Sequence, residues 1–338
     1  MDNYPPYSIT DKMLNYVSSI MEKIGEANYF ESLNRYPELR RKSRIRSIHS
    51  SLAIENNQLS LFQVEDVING KMVIGEQKDI QEVKNAYKAY EELYNVNPYS
   101  VDDLKKLHEI MTFLVQDDNG RFRNHGEAVY DGDKMIFMAP PENMVPELMD
   151  NLFSWMNSAK EEVNPLILSS IFHYEFVFIH PFTDGNGRMA RLWQTAILAN
   201  WKDLFKYMPI ESIIRKHQDE YYAAIANCNN AGNSNEFIEF MLKVIDEAVE
   251  SMAKESRKNE INNILGEKAK GLNKTEIQVV EVINEKGQAG TTEISVAIEK
   301  SDRTVRRILA SLEEKEIVIS DSSSKNDSNR KYKIKMSE

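Results

Sequence analysis

Apolar residues recur at intervals of three and four along most of the chain, which is the spacing of an amphipathic α-helix. This spacing predicts four helices in the first third of the chain, over residues 11–24, 61–68, 80–94 and 101–114. A more uniformly apolar stretch, residues 165–182, predicts a buried core helix. Its internal Ser, His and Glu residues leave it short of the ~20 clean apolar residues that a membrane span requires. We therefore expect a mainly α protein that does not cross a membrane.

One segment, residues 126–140, departs from the helical spacing. Two short runs, residues 128–130 and 135–138, flank an Asp-Gly-Asp turn, and a double proline follows them. This is a strand–turn–strand pattern, and Gly132 suits the turn because glycine reaches positive φ without steric cost. The segment predicts a β-hairpin within the helical body.

The C-terminal part of the chain predicts a second, smaller domain over residues 273–338. Three short helical patterns are followed by two short apolar runs separated by a polar loop; they cover residues 275–285, 291–299, 301–315, 317–319 and 332–334. A polar stretch rich in Lys and Asn, residues 256–272, is interpreted as a linker. Three short helices and a two-stranded ribbon are typical of a winged-helix domain.

Charge is distributed unevenly between these two parts. The whole chain of 338 residues carries a net charge of −11, but the residues from Ile261 onward contain 14 basic and 13 acidic side chains. The acidic body argues against non-specific binding of nucleic acid there, whereas the tail is not repelled by phosphate. A single cysteine, Cys228, excludes an intrachain disulfide, and the N-terminus lacks an export signal, so we expect a cytoplasmic protein.

The densest chemistry lies in the loop after the predicted core helix, which reads His-Pro-Phe-Thr-Asp-Gly-Asn-Gly-Arg-Met-Ala-Arg over residues 180–191. Gly185 and Gly187 allow a tight turn that directs backbone N–H groups inward at the start of the next helix, where an anion is favoured. Arg188 and Arg191 are three residues apart and share one helix face. The loop therefore predicts a polyphosphate site.

Two further side chains of this loop suit phosphate chemistry. Asp184 is an oxygen ligand of the kind that holds Mg²⁺, and His180 can accept a proton near neutral pH. The absence of Gly-Lys-Ser/Thr excludes a Walker loop, and the helix before the loop excludes a Rossmann fingerprint. A plain polar turn is the alternative, and a metal pair of His173 with His180 is weaker than a buried, hydrogen-bonded His173.

The loop matches the pattern His-x-Phe-x-Asp/Glu-Gly-Asn-Gly-Arg-x-x-Arg at all eight specified positions, and the chain resembles the Fic family of protein nucleotidylyltransferases. The resemblance extends over residues 101–241. It implies a Fic-type helical domain over residues 101–255 with a β-hairpin flap, and an N-terminal helical extension over residues 1–100.

The resemblance implies an enzyme, a protein adenylyltransferase that moves AMP from ATP to a Tyr, Ser or Thr hydroxyl of a target protein. His180 would be the general base, Asp184 would hold Mg²⁺, and Arg191 would bind the γ-phosphate. The remaining phosphate contacts would come from Gly185, Asn186, Gly187 and Arg188. Kinase-like Doc relatives have Lys in place of Gly187, so glycine favours AMP transfer over phosphate transfer.

The resemblance also implies roles outside the loop. The hairpin of residues 126–140 would be a flap that covers the nucleotide and pairs with an extended segment of the target protein. Further nucleotide contacts would come from Val129, Tyr130, Asp131 and Gly132 on the flap and from Tyr221, Tyr222 and Asn229 on a later helix. For the two tyrosines, a role as core aromatics remains the alternative.

A second motif, Ser-Leu-Ala-Ile-Glu-Asn, resembles the family's inhibitory helix and predicts such a helix over residues 48–57. Ser51 and Glu55 are four residues apart on one helix face, and Asn56 can end the helix in a left-handed conformation. The resemblance implies that Glu55 pairs with Arg191 in place of the γ-phosphate. Glu55 could also orient a water molecule, so removal of AMP at the same site stays open, as does an ordinary exposed Glu.

The third helix of the tail supports a function of another class. Arg303, Arg306 and Arg307 cluster on one side of it, as on a recognition helix in a DNA major groove. Glu residues follow at once, and winged helices also bind proteins. The second hypothesis is therefore a DNA-binding regulator in which the Fic body senses a nucleotide, and self-association of the chain also stays open.

Overall fold

The computed structural model of the chain describes residues 5–25, 37–131, 134–321 and 330–335. It divides the chain into two compact units, residues 1–252 and 253–338. Within the described ranges, no helix is long and apolar enough to cross a bilayer.

The first unit is built from helices with one β-hairpin. Its elements in chain order are α1 (Asp11–Gly25), α2 (Pro37–Ile54), α3 (Leu61–Ile68), α4 (Gln77–Glu92), α5 (Val101–Met111), β1 (Ala128–Asp131), β2 (Lys134–Met138), α6 (Val145–Ala159), α7 (Pro165–Ile179), α8 (Asn186–Trp201), α9 (Ile210–Lys216), α10 (Gln218–Ala231) and α11 (Asn235–Leu265), which runs past residue 252. The mainly α fold predicted from the sequence is confirmed.

Helices α7 and α8 form the centre of this unit. Phe172 and Phe176 of α7 and Trp193 of α8 are fully buried and pack in one apolar cluster, while Ile171 and Leu198 lie in a second cluster. Burying one large apolar side chain stabilises the fold by roughly 1.5–3 kcal/mol, so two helices buried on all sides are a rigid support. The loop between them, residues 180–185, is therefore held at both ends.

Several helix ends differ from the predicted ones. Helix α5 ends at Met111, before the predicted residue 114, because the Thr112 hydroxyl donates to the His108 carbonyl (2.8 Å) and Leu114 adopts a positive φ of 59°. Helix α2 begins at Pro37, well before the predicted residue 48. A long helix with polar residues on several sides gives little periodic signal, so only its last turns were recognisable.

The hairpin forms where it was predicted. Strands β1 and β2 are antiparallel, with Ala128 opposite Met138 and Asp131 opposite Lys134, and the register shifts between Val129 and Tyr130. The ring of Phe137 on β2 lies 5.5 Å from that of Phe178 on α7. This contact packs the hairpin against the helix that precedes the loop of residues 180–185.

The second unit contains the predicted helices and strands and one further short strand. Its elements are α12 (Lys274–Lys286), β3 (Ala289–Gly290), α13 (Thr291–Ala297), α14 (Asp302–Glu314), β4 (Val318–Ser320) and β5 (Lys331–Ile334). The strands pair antiparallel in the order β3-β5-β4. β3 has two residues, too few for a recognisable alternation. Assignment of this unit to the winged-helix class stays a prediction.

The predicted linker is largely helical. Helix α11 continues to Leu265, and a 3-10 helix covers Gly266–Gly271. Residues 256–272 were predicted as a linker from their polar composition, but no Gly or Pro interrupts the chain between Gly232 and Gly266. Both of these glycines have positive φ, which suits the end of a helix, so the helix runs from just after one to just before the other.

Candidate active site

His180 is the residue at which α7 ends. Its φ of 51° is left-handed, and its N–H donates to the Phe176 carbonyl (3.0 Å). Nδ1 lies 3.3 Å from the Val177 carbonyl oxygen, which can only accept, so Nδ1 carries the proton and Nε2 keeps its lone pair. Burial lowers the pKa of His180 below its usual value of 6.5. The imidazole is therefore neutral at pH 7, in the form that can accept a proton.

The turn after His180 is closed by its own side chains. Gly185 has a φ of 82°, and its N–H donates to Asp184 Oδ1 (2.6 Å). The Asn186 amide accepts from the Phe182 N–H (2.9 Å) and donates to the Phe182 carbonyl (2.6 Å). This differs from the predicted phosphate contact of the Asn186 side chain, because both of its polar atoms hold the turn. The first N–H groups of α8 have no partner within the helix and can still receive an anion.

His108 on α5 packs against this turn and hydrogen-bonds to it, a role that was not predicted from the sequence. Its ring stacks on Phe182 with centroids 3.6 Å apart. Nε2 donates to the Asp184 carbonyl (2.9 Å), and Nδ1 accepts from the Gly120 N–H (2.9 Å), so the neutral ring satisfies both partners. Burial lowers the pKa of His108 to about 4, which keeps it neutral. A single His 76 residues away carries no local signal of this role.

Asp184 has one oxygen engaged and one available. Oδ1 accepts from Gly185 and from Arg188 Nη2 (2.7 Å), whereas Oδ2 accepts no hydrogen bond from the described residues. Burial raises the pKa of Asp184, but the Arg188 charge and the two hydrogen bonds lower it more, so the group stays ionised. No group of three or more His, Cys, Asp or Glu side chains suitable for a metal occurs in the described part of the chain. One free carboxylate oxygen fits Mg²⁺, which takes one or two carboxylates and completes its shell with phosphates and waters.

Arg188 is buried and paired with two carboxylates. Besides its contact with Asp184, Nη1 donates to Glu82 Oε1 (3.0 Å) on α4, while the buried Nε has no hydrogen-bond partner among the described atoms. Glu82 Oε2 in turn accepts from Asn57 Nδ2 (2.9 Å). Glu82 was not recognised in the sequence, because an isolated Glu on an amphipathic helix has no distinguishing pattern.

Arg191 makes the predicted contact with the second motif. Its Nη2 donates to Glu55 Oε1 (2.7 Å) and to the Ser51 carbonyl (2.9 Å), and its Nε donates to the Ser51 hydroxyl (3.0 Å). Helix α2 ends at Ile54, and Asn56 adopts the predicted positive φ, here 66°. Glu55 thus lies in the turn just after the helix, with 36% of its side chain exposed.

Glu55 also lies directly against Gly187. A Cβ atom built on Gly187 would overlap Glu55 Oε1, and it would approach Arg191 Nη1 to 3.2 Å. The carboxylate therefore sits on the first turn of α8, where an anion is favoured.

Comparison with known proteins identifies this architecture. The Fic/DOC family model matches residues 98–198. The crystal structure of a Fic family protein from Desulfovibrio desulfuricans G20 is 37% identical, covers 98% of both chains and has a TM-score of 0.72. This chain belongs to the Fic family. A structure of Fic-1 from Caenorhabditis elegans, at 24% identity and a TM-score of 0.60 over 74% of this chain and 73% of that one, shares the fold.

The curated relatives are longer than this chain. Protein adenylyltransferase fic-1 of C. elegans is 27% identical over 294 residues, which are 84% of this chain and 55% of that protein. Protein adenylyltransferase Fic of Nematostella vectensis is 28% identical over 214 residues, 60% of this chain and 47% of that protein. This Fic chain thus spans about half the length of the curated relatives it matches.

The tyrosine pair of this Fic domain is divided between core and surface. Tyr221 is buried, and its hydroxyl lies 2.9 Å from His173 Nε2. His173 is itself a buried core residue, as expected, with Nδ1 2.6 Å from Gln194 Oε1. Tyr222 is 46% exposed, and its hydroxyl donates to the Ile54 carbonyl (3.4 Å) at the end of α2. Asn229 Oδ1 accepts from the hydroxyl of a core tyrosine on α7, so among these three residues Tyr222 has the most surface available to a nucleotide.

The predicted nucleotide contacts on the flap remain predictions. Val129, Tyr130 and Asp131 lie on β1, but their side chains are outside the described parts of the structure, and Gly132 lies outside the described residues. What is established for this segment is the path and pairing of its backbone.

Proposed function

We propose that this Fic protein is an adenylyltransferase that moves AMP from ATP to a Tyr, Ser or Thr hydroxyl of a target protein. The observation that carries the proposal is the loop between α7 and α8, which begins with a neutral His180 whose Nε2 is available and leads into the first turns of α8, where Arg188 and Arg191 are buried. Arg188 Nε and Arg191 Nη1 are buried donors without a described partner, and a polyphosphate would satisfy them. The names of the curated relatives support the same activity.

In the proposed reaction, the target hydroxyl oxygen attacks the α-phosphorus of ATP. The bond from that phosphorus to the bridging oxygen breaks, pyrophosphate leaves, and His180 Nε2 takes the hydroxyl proton. A positioned general base contributes about 10²–10⁴ in rate, and donors aimed at developing phosphate charge contribute more. Asp184 Oδ2 would hold Mg²⁺, which when bound offsets phosphate charge.

Gly187 favours AMP transfer because it leaves the start of α8 free of side chains. The site has no space for a Cβ at this position while Glu55 is docked. A lysine, as in kinase-like relatives, would place both bulk and charge there. The same argument makes Gly187 the residue that lets ATP approach the helix N-terminus closely.

We further propose that Glu55 restrains the enzyme. The carboxylate occupies Arg191 and the adjoining N-terminus of α8, so ATP could not place its γ-phosphate there without displacing Glu55. Removal of AMP from a modified target at the same site belongs to this proposal too, since a carboxylate beside the phosphate pocket could take a proton from water.

The test is transfer of label from α-labelled ATP with Mg²⁺ to the protein itself or to proteins of a lysate. We expect label with Glu55→Gly and none with Glu55→Gly combined with His180→Ala. Equal labelling of these two variants would refute the proposed base.

A second candidate function rests on α14. Arg303, Arg306 and Arg307 are exposed, whereas Val305 and Leu309 of the same helix are fully buried. A helix that anchors on one side and presents three guanidinium groups on the other suits binding to DNA phosphates. A gel-shift assay with duplex DNA that compares the wild type with Arg306→Ala, described below, separates DNA binding from protein docking.

A further inference from the structure

Arg123 lies between the loop that follows α7 and the hairpin, and its guanidinium contacts backbone carbonyl groups. Nε donates to the carbonyl of His180 (2.7 Å), and Nη2 donates to that of Ile179 (3.3 Å). Nη1 donates to the carbonyl of His125 (2.8 Å), and Nη2 also donates to that of Pro140 (2.6 Å). Arg123 is 3% exposed, so water competes little for these donors.

This buried cation has no ion pair among the described residues. Burial lowers the pKa of Arg123, although Glu127 and Glu142 act in the opposite direction. A buried charge is tolerated when hydrogen bonds satisfy it, and the carbonyls at the end of α7 also carry the negative end of the helix dipole. Burying a guanidinium without an ion pair costs free energy that a neutral side chain would not. The four carbonyl contacts are therefore the reason to look for a functional role of Arg123.

Two of the carbonyls that Arg123 contacts lie at the base of the hairpin, that of His125 before β1 and that of Pro140 after β2. Below the paired strands, the last backbone rung runs from the Ala139 N–H to the Glu127 carbonyl (3.0 Å). No further backbone hydrogen bond between the two segments follows among the described residues, and Pro140 has no N–H to donate. The carbonyls of His125 and Pro140 are instead joined through Arg123, which closes the base of the hairpin.

The other contacts hold the backbone of the general base. Because His180 is left-handed, the chain leaves α7 there, and the carbonyls of Ile179 and His180 lie in its last turn, where no following N–H completes the helical pattern. Arg123 supplies donors to both, and its own backbone N–H donates to the Pro181 carbonyl (2.9 Å). One residue thus fixes both the hairpin and His180.

We propose that Arg123 is a positioning residue for the transfer reaction, which sets the distance between the hairpin and His180. We call the hydrogen bonds from the Arg123 guanidinium to these four carbonyls the clamp. The proposal rests on the proposed function, because the clamp would align a hydroxyl group of a target segment paired with the hairpin. Misplacement of reacting groups by about 1 Å can cost on the order of 10²-fold in rate.

The experiment compares three substitutions in the Glu55→Gly background. Arg123→Met keeps most of the side-chain volume but removes every donor. Arg123→Lys keeps the charge, but a single ammonium group cannot reach carbonyls in three segments as the planar fork does. Arg121→Met is the matched control, because Arg121 is exposed and lies two residues away.

Amide hydrogen exchange and transfer are measured on each variant. For Arg123→Met we expect exchange of residues 126–139 to accelerate about tenfold or more, with α5 and α8 unchanged. We expect its transfer rate to fall roughly 10- to 100-fold while the Kd for ATP stays within about threefold of the parent. Arg123→Lys should be intermediate, and Arg121→Met should match the parent.

A residue that merely stabilised the fold would give a different pattern. Faster exchange throughout residues 1–252, or ATP affinity falling in parallel with the rate, would overturn the proposal, as would unchanged exchange of the hairpin or full activity of Arg123→Met. If Arg123→Met does not fold, Arg123→Lys decides by the same readouts. If the Glu55→Gly parent transfers no AMP, the proposed function fails, and hydrogen exchange alone judges the clamp.

Discussion

Replacing Glu55 by Gly is the most informative perturbation of this site, because it removes one carboxylate and nothing of the catalytic loop. The ion pair to Arg191 Nη2 is 2.7 Å long, with the arginine buried and the glutamate partly exposed. Hydrogen bonds to charged groups contribute roughly 1.5–3 kcal/mol, and the exposure of Glu55 argues for the lower part of that range. At about 1.4 kcal/mol per tenfold, removing the competitor should raise transfer by roughly 10- to 40-fold.

The substitution should cost little stability. Glu55 follows the end of α2 and lies in a turn, where a glycine is far less disruptive than inside a helix. Glu76→Gly is the matched control. Glu76 is also exposed and lies just outside a helix, but it is not a hydrogen-bond partner of Arg191.

The assay is the initial rate of label transfer from α-labelled ATP for wild type, Glu55→Gly, Glu76→Gly and the double variant of Glu55→Gly with Arg191→Ala. We expect activation in Glu55→Gly alone and loss of activity in the double variant. If Glu55→Gly transfers label no faster than wild type while His180→Ala still abolishes transfer, inhibition by Glu55 is refuted and the enzyme survives as a hypothesis. Loss of AMP removal in Glu55→Gly would identify the carboxylate as a base for hydrolysis.

Three further outcomes follow from the site and the tail. His180→Ala in the Glu55→Gly background should lower the transfer rate by about 10²–10⁴ with ATP binding retained. Because the pKa of His180 lies below 6.5 and the neutral ring is the active form, the rate of the Glu55→Gly parent should be level above pH 6.5 and fall only below it. A fall in rate that begins above pH 7 as the pH is lowered would contradict this assignment. Asp184→Ala should reduce the rate and its dependence on Mg²⁺ together, with Ca²⁺ a poor substitute, and full activity in excess EDTA would exclude the metal. If residues 274–335 bind duplex DNA, affinity in a gel-shift assay should fall with salt, and Arg306→Ala should reduce that slope by about one unit; no shift at low salt would favour protein docking.

The parts of the fold that the sequence predicts well are those with strong local periodicity. Helix α3 agrees with the predicted residues 61–68 at both ends, because its apolar stripe is regular and a capping box at Ser60 and Gln63 marks its start. The pairing of β1 with β2 was recognisable from the two short apolar runs on either side of the Asp-Gly-Asp sequence. The pair of Glu55 with Arg191, 136 positions apart, could be expected only because two short motifs resemble those of the Fic family, and the resemblance implies their contact.

What could not be predicted depends on side chains that meet only in the folded chain. His108, Glu82 and Arg123 each come from a segment with ordinary composition, and their partners lie 76, 106 and 57 residues away. The polar atoms of Asn186 were expected to face phosphate, yet the tight turn uses them for its own backbone. Hydrogen bonds of this kind follow from three-dimensional packing and leave no periodic trace.

The contact between Glu55 and Gly187 makes the mutational tolerance of each position depend on the other. With Glu55 docked, even a methyl group at position 187 meets a carboxylate oxygen; without it, the nearest obstacle is the end of a flexible arginine side chain at 3.2 Å. A substitution at position 187 would therefore release the carboxylate and obstruct the proposed phosphate site in one step. If Glu55 restrains the enzyme as proposed, substitutions at position 187 cannot yield an enzyme that is both unrestrained and undamaged, so loss of restraint would have to arise at position 55 or among the residues that hold it.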